Sequence, residues 1–235
     1  MVKGKLYLVP TTIADVTSHK VIPDQVINEL KGIQHFLAEN IRTARRYLSN
    51  LNVYDSIDTL HFDTLNKDTP DSELKDLFEP IYNGLPIGVM SESGCPGIAD
   101  PGTIAVAYAH RHHIHVVPLV GPSSIVLALM ASGLNGQCFV FNGYLPIKAN
   151  EAEKAIRDFE KESVTKKRTQ IFIETPYRNN ALYKRLIGVL RPETTLCVAV
   201  DLTGSAEMIR SMPVKQWRKE SIELPKLPTI FLFSA

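Results

Sequence analysis

SESGCPGIADPG, Ser91–Gly102, follows the short apolar run PIGVM, Pro86–Met90, and precedes TIAVAYAHR, Thr103–Arg111. The apolar run reads as a buried strand and the later segment as a helix with Thr103 near its start, so the stretch between them is a strand-to-helix loop. Gly94, Gly97 and Gly102, with Pro96 and Pro101, bend the backbone tightly and leave few side chains over its N–H and C=O groups. A ligand arriving here meets main chain. The loop carries Glu92 and Asp100 and no Lys or Arg, which argues against a phosphate cradle of the P-loop kind and suits an ammonium or sugar hydroxyls. For glycines and prolines taken alone, an ordinary crossover loop is the competing reading.

Upstream, KLYLV, Lys5–Val9, is predicted as the first strand, ending at Pro10-Thr11-Thr12. A helix is expected over Val21–Leu30 with Pro23 in its first turn, then a strand over Gln34–Ala38. An amphipathic helix over Ile41–Leu51 carries Arg42, Arg45 and Arg46, which read as a solvated face. Asn52–Thr69 reads as irregular and Asp71–Asn83 as helical. Downstream, Ile114–Pro118 is a strand, and Val120-Gly121-Pro122-Ser123-Ser124 is a second tight turn opening into IVLALMASGL. Ser123 or Ser124 can cap that helix and Gly133 can stop it; being apolar nearly all round, it is expected to be buried. Strands alternating with helices call for a mostly parallel sheet, and ligands of such sheets lie beyond the carboxyl ends of the strands. The loops after Val9, Met90 and Leu119 are all at such ends.

Beyond residue 135 the pattern restarts. Gln137–Phe141 is a strand punctuated by Asn142–Pro146, Lys148–Arg168 an exposed charged helix ending in a basic turn, and Thr169–Ile173 a strand leading into Glu174-Thr175-Pro176-Tyr177-Arg178. A helix through Leu190, strands at Thr195–Val200 and Ala206–Arg210, and a buried closing strand at Thr229–Ser234 follow. The fold class is α/β in two lobes, residues 1–135 with a mostly parallel sheet and residues 136–235 with a mixed one.

Composition narrows the classes. With 235 residues, 44% hydrophobic and 22% charged, the chain can bury a real core and is ordinary for a soluble globular protein. A net charge of +1 gives no support to tight nonspecific nucleic-acid binding, although a local patch could still meet RNA. Cys95, Cys138 and Cys197 are far apart with no C-x-x-C pair, so neither a disulfide framework nor a metal site is indicated. The opening MVKGKLYLVP turns polar too soon for a signal peptide and no apolar run is long enough to cross a bilayer, so a cytoplasmic location without membrane contact is expected.

Read together, SESGCPGIADPG, PLVGPSS (Pro118–Ser124), FVFNGYLP (Phe139–Pro146), ETPYR (Glu174–Arg178) and, more weakly, KLYLVPT and AENIRTARRYL resemble the tetrapyrrole methylase-like class of S-adenosylmethionine-dependent methyltransferases. Within it the chain is most similar to the small-subunit rRNA (cytidine-2′-O)-methyltransferases. The resemblance implies two α/β lobes with the methyl donor in the cleft between them, a homodimer, and 16S rRNA or the 30S subunit as substrate. Carried residue by residue, it implies donor contacts at Pro10, Ser93, Gly94, Cys95, Ile98, Ser123 and Ser124, completed by Glu174, Pro228 and Thr229. The chain departs from the pattern in five places. Thr11–Asp15 stands where a Gly- and Asn-containing turn is usual, and Glu39-Asn40-Ile41-Arg42 keeps only the ends of an acidic-Asp-Thr-Arg motif. HFDTLNKD holds no recognisable histidine-rich motif, while Glu92 and Tyr177 replace a usual Asp and His. For catalysis, Glu92 or Glu39 is expected to assist deprotonation of a ribose hydroxyl and Arg42 or Arg178 to steady an RNA phosphate, each with a capping or salt-bridging role as the alternative. Two other functions stay open: methylation of a small tetrapyrrole-like molecule, and donor binding without catalysis.

Overall fold

In the computed structural model, which describes residues 2–235, Leu6 and Val9 are fully buried because the strand that carries them, β1 (Leu6–Val9), has a parallel neighbour on each edge. The chain divides into two units, Met1–Ser123 and Ser124–Ala235.

In chain order the first unit continues through α1 (Ser18–Val21), α2 (Asp24–Leu30), β2 (His35–Ala38), α3 (Ile41–Asn50), β3 (His61–Thr64), α4 (Leu74–Leu77), α5 (Glu79–Tyr82), β4 (Ile87–Met90), α6 (Gly102–Arg111) and β5 (Val116–Pro118). Its five strands are parallel in the order β3-β2-β4-β1-β5. Side chains alternate between two cores as strand geometry requires. Leu6, Leu37, Ile87 and Val89 pack with Phe78, Ala105 and Tyr108 on one face, and Val9, Phe36, Ala38 and Met90 with Val26, Leu30, Ala44 and Leu48 on the other.

The second unit comprises α7 (Ser124–Ser132), β6 (Phe139–Tyr144), α8 (Ala149–Lys166), β7 (Thr169–Glu174), α9 (Asn179–Val189), β8 (Thr195–Val200), β9 (Met208–Pro213), α10 (Val214–Trp217) and β10 (Thr229–Ser234). The sheet order is β6-β7-β10-β8-β9, with β6 parallel to β7 and the other pairs antiparallel, so the expected mixed sheet is present. Its main core is Phe172, Phe231, Phe233, Leu196, Val198 and Val200 against Ile156, Leu182, Tyr183, Leu186 and Trp217. Register sets Thr229 opposite Glu174 on one side and Val200 on the other, which brings three strand ends to one edge of the sheet.

Several expectations are corrected. The helix read over Val21–Leu30 breaks at Ile22-Pro23, where extended Pro23 caps α2 and cannot continue the hydrogen-bond ladder of α1. Asn52–Thr69 is not irregular throughout, because it contains β3, an edge strand whose Phe62 stacks on Phe36 at 5.5 Å. Asp71–Asn83 forms two single-turn helices, with Pro80 at the start of the second. Asn142 and Gly143 do not end the strand but lie in β6, at an irregularity of register. The strand read at Ala206–Arg210 runs instead over Met208–Pro213. The apolar helix α7 is only partly buried, with Val126 49% and Met130 74% exposed. It packs on β9 and β10 and belongs to the second unit, which begins at Ser124.

Gly121, just past β5, has Pro10 against its missing side chain: a Cβ there would overlap Pro10 Cβ. Gly121→Ala is expected to lower stability by about 1–3 kcal/mol in urea unfolding, through the forced backbone shift; an unchanged midpoint would mean that the two loops do not press together.

Candidate functional site

The strand order places β4, β1 and β5 side by side, so the loops leaving their carboxyl ends are neighbours. Main chain knits them. Thr11 N donates to Gly94 O at 2.9 Å, and Gly94 accommodates this with φ +78°, a left-handed backbone that glycine adopts without strain. A Cβ on Gly94 would lie 3.3 Å from Ile13 Cγ2 and 3.4 Å from Pro122 O, so this residue sits where all three loops meet. Ser91 Oγ donates to Gly94 O at 3.4 Å, and the Cys95 thiol to Pro122 O at 3.4 Å. Burial, with a smaller effect from Asp100, pushes the Cys95 thiol pKa up, which keeps it a neutral donor.

Asp100 is structural rather than a free counter-charge. Its Oδ1 accepts from Gly97 N at 2.9 Å and from Gly102 N at 2.6 Å, closing the loop onto the first turn of α6. That helix therefore starts at Gly102, one residue before the expected Thr103. Pro10 is buried, and its carbonyl accepts from Tyr47 Oη at 2.9 Å; burial raises the Tyr47 pKa and keeps the phenol protonated as that donor. Glu92, Ser93 and Ile98 are exposed along the outer side of the β4 loop.

Glu39 leaves the end of β2. Because Ala38 lies opposite Met90, Glu39 and Glu92 rise from adjacent strands, and both are exposed without a side-chain hydrogen bond or ion pair among the described residues. Asn40 caps α3, its Oδ1 accepting from Thr43 N at 3.2 Å. In the first turn of that helix Arg42 is exposed and has no ionic partner among the described residues, whereas Arg45 is held at 2.5 Å by Asp58.

In the second unit Glu174 and Arg178 come together. The buried Glu174 carboxylate takes Thr175 N on one oxygen and Arg178 Nη2 on the other, each at 2.6 Å, and that hydrogen bond raises the Arg178 pKa further. Thr229 is buried too: its hydroxyl accepts from Asn179 Nδ2 at 2.9 Å and donates to Leu227 O at 3.0 Å. Pro228 is exposed, and its carbonyl accepts from Asp201 N. Sequence reading missed Asn179, which is fully buried, and the loop after β8, where Asp201 and Thr203 are left-handed and Asp201 Oδ2 accepts from Ala206 N at 2.9 Å. The sequence cue to that loop is Gly204 close behind the polar Asp201 and Thr203.

Segments 10–16, 91–102 and 119–124 hold no Lys or Arg. Neutral main chain with two exposed carboxylates, Asp15 and Glu92, fits a cationic ligand bearing hydroxyls and no phosphate. Among the described residues no cluster could hold a metal ion, and no helix is long and apolar enough to cross a membrane.

No protein-family profile matches the chain. It is 31% identical over 234 residues to the ribosomal RNA small subunit methyltransferase I of Buchnera aphidicola subsp. Baizongia pistaciae, covering 98% of this chain and 76% of that protein. Identity to the protein of the same name from Vibrio cholerae is 31% over 211 residues (90% and 69%), and to that from Escherichia coli O157:H7 29% over 221 (93% and 73%). Among solved structures, the methyltransferase CobJ aligns with a TM-score of 0.63 at 15% identity, covering 98% of this chain and 94% of that one. The uroporphyrin-III C-methyltransferase of Thermus thermophilus, complexed with S-adenyl homocysteine, aligns at 0.59 and 15% (98% and 97%). These two share the fold.

Asp100→Ala removes one acceptor from two amides. Hydrogen exchange at Gly97 and Gly102 is expected to speed up about 10- to 100-fold, with exchange in β1 unchanged; equal protection in the variant would show that the loop closes without this carboxylate.

Proposed function

Because the chain belongs to the ribosomal RNA small subunit methyltransferase I family, we propose that it transfers the methyl group of S-adenosylmethionine to the 2′ oxygen of a ribose in 16S rRNA of the 30S subunit. The observation that supports this best is the set of peptide-lined loops free of basic residues, fastened together at Gly94. Pro10, Ser93, Gly94, Cys95, Ile98, Ser123 and Ser124 in the loops, with Glu174, Pro228 and Thr229, would hold the donor. Glu174 acts by fixing the turn after β7, since both of its oxygens are already engaged.

The donor supplies a methyl group on a positively charged sulfur, and neutral backbone dipoles suit a reaction in which that charge is lost. Alignment of the two reacting groups can contribute about 7–11 kcal/mol, whereas a general base adds roughly 10²–10⁴-fold. Positioning is the larger effect, so a rigid loop matters more than any single carboxylate. Glu92 and Glu39, exposed and unpaired, are each able to accept the ribose proton. Arg42 has its charge free for a phosphate; Arg178 is already committed to Glu174, which favours Arg42 for that task. A homodimer acting in the cytoplasm completes the proposal, and the exposed apolar Val126 and Met130 of α7 suit a face covered by a second copy.

Purified protein with labelled donor and 30S subunits from a strain lacking this methylation is expected to label the rRNA. Gly94→Trp, which crowds Ile13 and strains a left-handed position, should abolish labelling with the far-ultraviolet dichroism retained. Labelling that survives this change contradicts the site, and label entering only small tetrapyrrole-like molecules overturns the rRNA assignment. Of Glu92→Gln and Glu39→Gln, the one that removes the base is expected to lower kcat roughly 10²–10⁴-fold with donor affinity unchanged. Single-turnover kinetics of the two variants distinguishes them; full activity in both excludes a carboxylate base at either position.

A further inference from the structure

Tyr177 stands with 81% of its surface exposed in a turn that is otherwise held from two sides. On one side Glu174 binds Thr175 N and Arg178 Nη2, and Arg178 N donates to Thr175 O at 2.9 Å. On the other, the start of α9 clamps the segment before β10. Asn180 exchanges two hydrogen bonds with the main chain of Leu224, each 2.8 Å, and Asn179 Nδ2 donates to Leu227 O at 2.8 Å. The clamp puts Lys226 Nζ 5.4 Å from the centroid of the Tyr177 ring. Tyr144, 59% exposed, ends the neighbouring strand opposite Ile173 and interacts electrostatically with Arg178, the residue next to Tyr177.

Two exposed aromatic rings beside a positioned cation make a surface of definite chemistry. The Tyr177 ring, exposed and outside the hydrophobic cores, has Lys226 as its neighbour, on a segment that Asn179 and Asn180 hold in place. A flat π-face takes any nucleobase by stacking, and an adjacent ammonium meets the phosphate that follows. With one face of the ring under Lys226, the high exposure leaves the other open.

We propose that Tyr177 is a stacking platform for an unpaired base of the RNA, with Lys226 on the adjoining phosphate and Tyr144 as a second aromatic contact. The inference rests on the rRNA reading above and adds to it a place where the single strand is gripped. It assigns sequence-tolerant affinity rather than base readout, since neither ring presents an edge-specific donor pattern.

The test is fluorescence anisotropy with a labelled single-stranded RNA dodecamer of mixed sequence, on the full chain. Tyr177→Ala is expected to weaken binding ten- to a hundredfold, and Tyr177→Phe to bind within about twofold of wild type. Lys226→Ala should lower the slope of log affinity against log salt by about 0.7, the loss of one phosphate contact on a single strand. Wild-type affinity in Tyr177→Ala, equal losses in the Ala and Phe variants, or no binding by the wild-type protein each overturns the proposal. So does a change of oligomeric state in Tyr177→Ala by light scattering, which would make the patch a protein contact. Calorimetry with S-adenosylhomocysteine separates the two readings. Absence of heat with wild-type protein overturns the methyltransferase reading while leaving the stacking result standing, and an unaltered titration in Tyr177→Ala shows that the variant is folded.

Discussion

The structure depends on one constraint: three parallel strands, β4, β1 and β5, lie side by side, so the loops at their carboxyl ends have to share one space. The backbone bond from Thr11 N to Gly94 O joins the β1 and β4 loops, and the Cys95 thiol on Pro122 O joins the β4 and β5 loops. Gly94 fits because its φ is positive, Gly121 lets the β5 loop lie against Pro10 because it has no Cβ, and one Asp100 carboxylate oxygen satisfies two amides of the β4 loop. Together they leave a peptide-lined surface without a basic side chain, the kind of lining that a positively charged, phosphate-free ligand needs.

The second unit solves a different problem by a similar route. At the shared end of β7, β8 and β10 polar groups pair with one another, Glu174 with Arg178 and Asn179 Nδ2 with Thr229 and Leu227, while the buried Asn179 Oδ1 has no partner among the described residues. Such a network rigidifies the turns it joins, because any one member left alone would carry the full cost of an unpaired buried group. Rigid turns are what alignment of reacting groups requires. Of the candidate side chains, Glu39, Glu92 and Arg42 in the first unit are exposed and unpaired among the described residues, and Tyr177 in the second is exposed beside Lys226.

How much of this the sequence discloses follows from which signals are local. Strands buried on both faces, such as β1 and β4, are unbroken apolar runs bounded by Pro and Gly, so they were legible, as were the loops that follow them. β3 was not, because an exposed edge strand reading HFDT has neither an apolar run nor a clean alternation. Short helices broken at Pro23 and Pro80 look continuous when only apolar spacing is counted. At the site, Glu174 and Arg178 were identifiable as residues, but their pairing, which changes what Arg178 can do, depends on the turn between them. Asn179 and Asn180 gave no signal: their partners, Leu227 and Leu224, are more than forty residues away. The exposure of α7 was likewise unreadable, since an apolar helix in one chain cannot say what covers it.

The proposal at the centre of the account is that peptide groups of the β1, β4 and β5 loops contact the methyl donor. Backbone amide chemical shifts of isotope-labelled protein, followed during titration with S-adenosylhomocysteine, test it most directly. The account predicts saturable shifts centred on Gly94, Cys95, Ile98, Ser123 and Thr175, with β3 and α8 unmoved. Shifts confined to other segments, or none at saturating ligand, would contradict it.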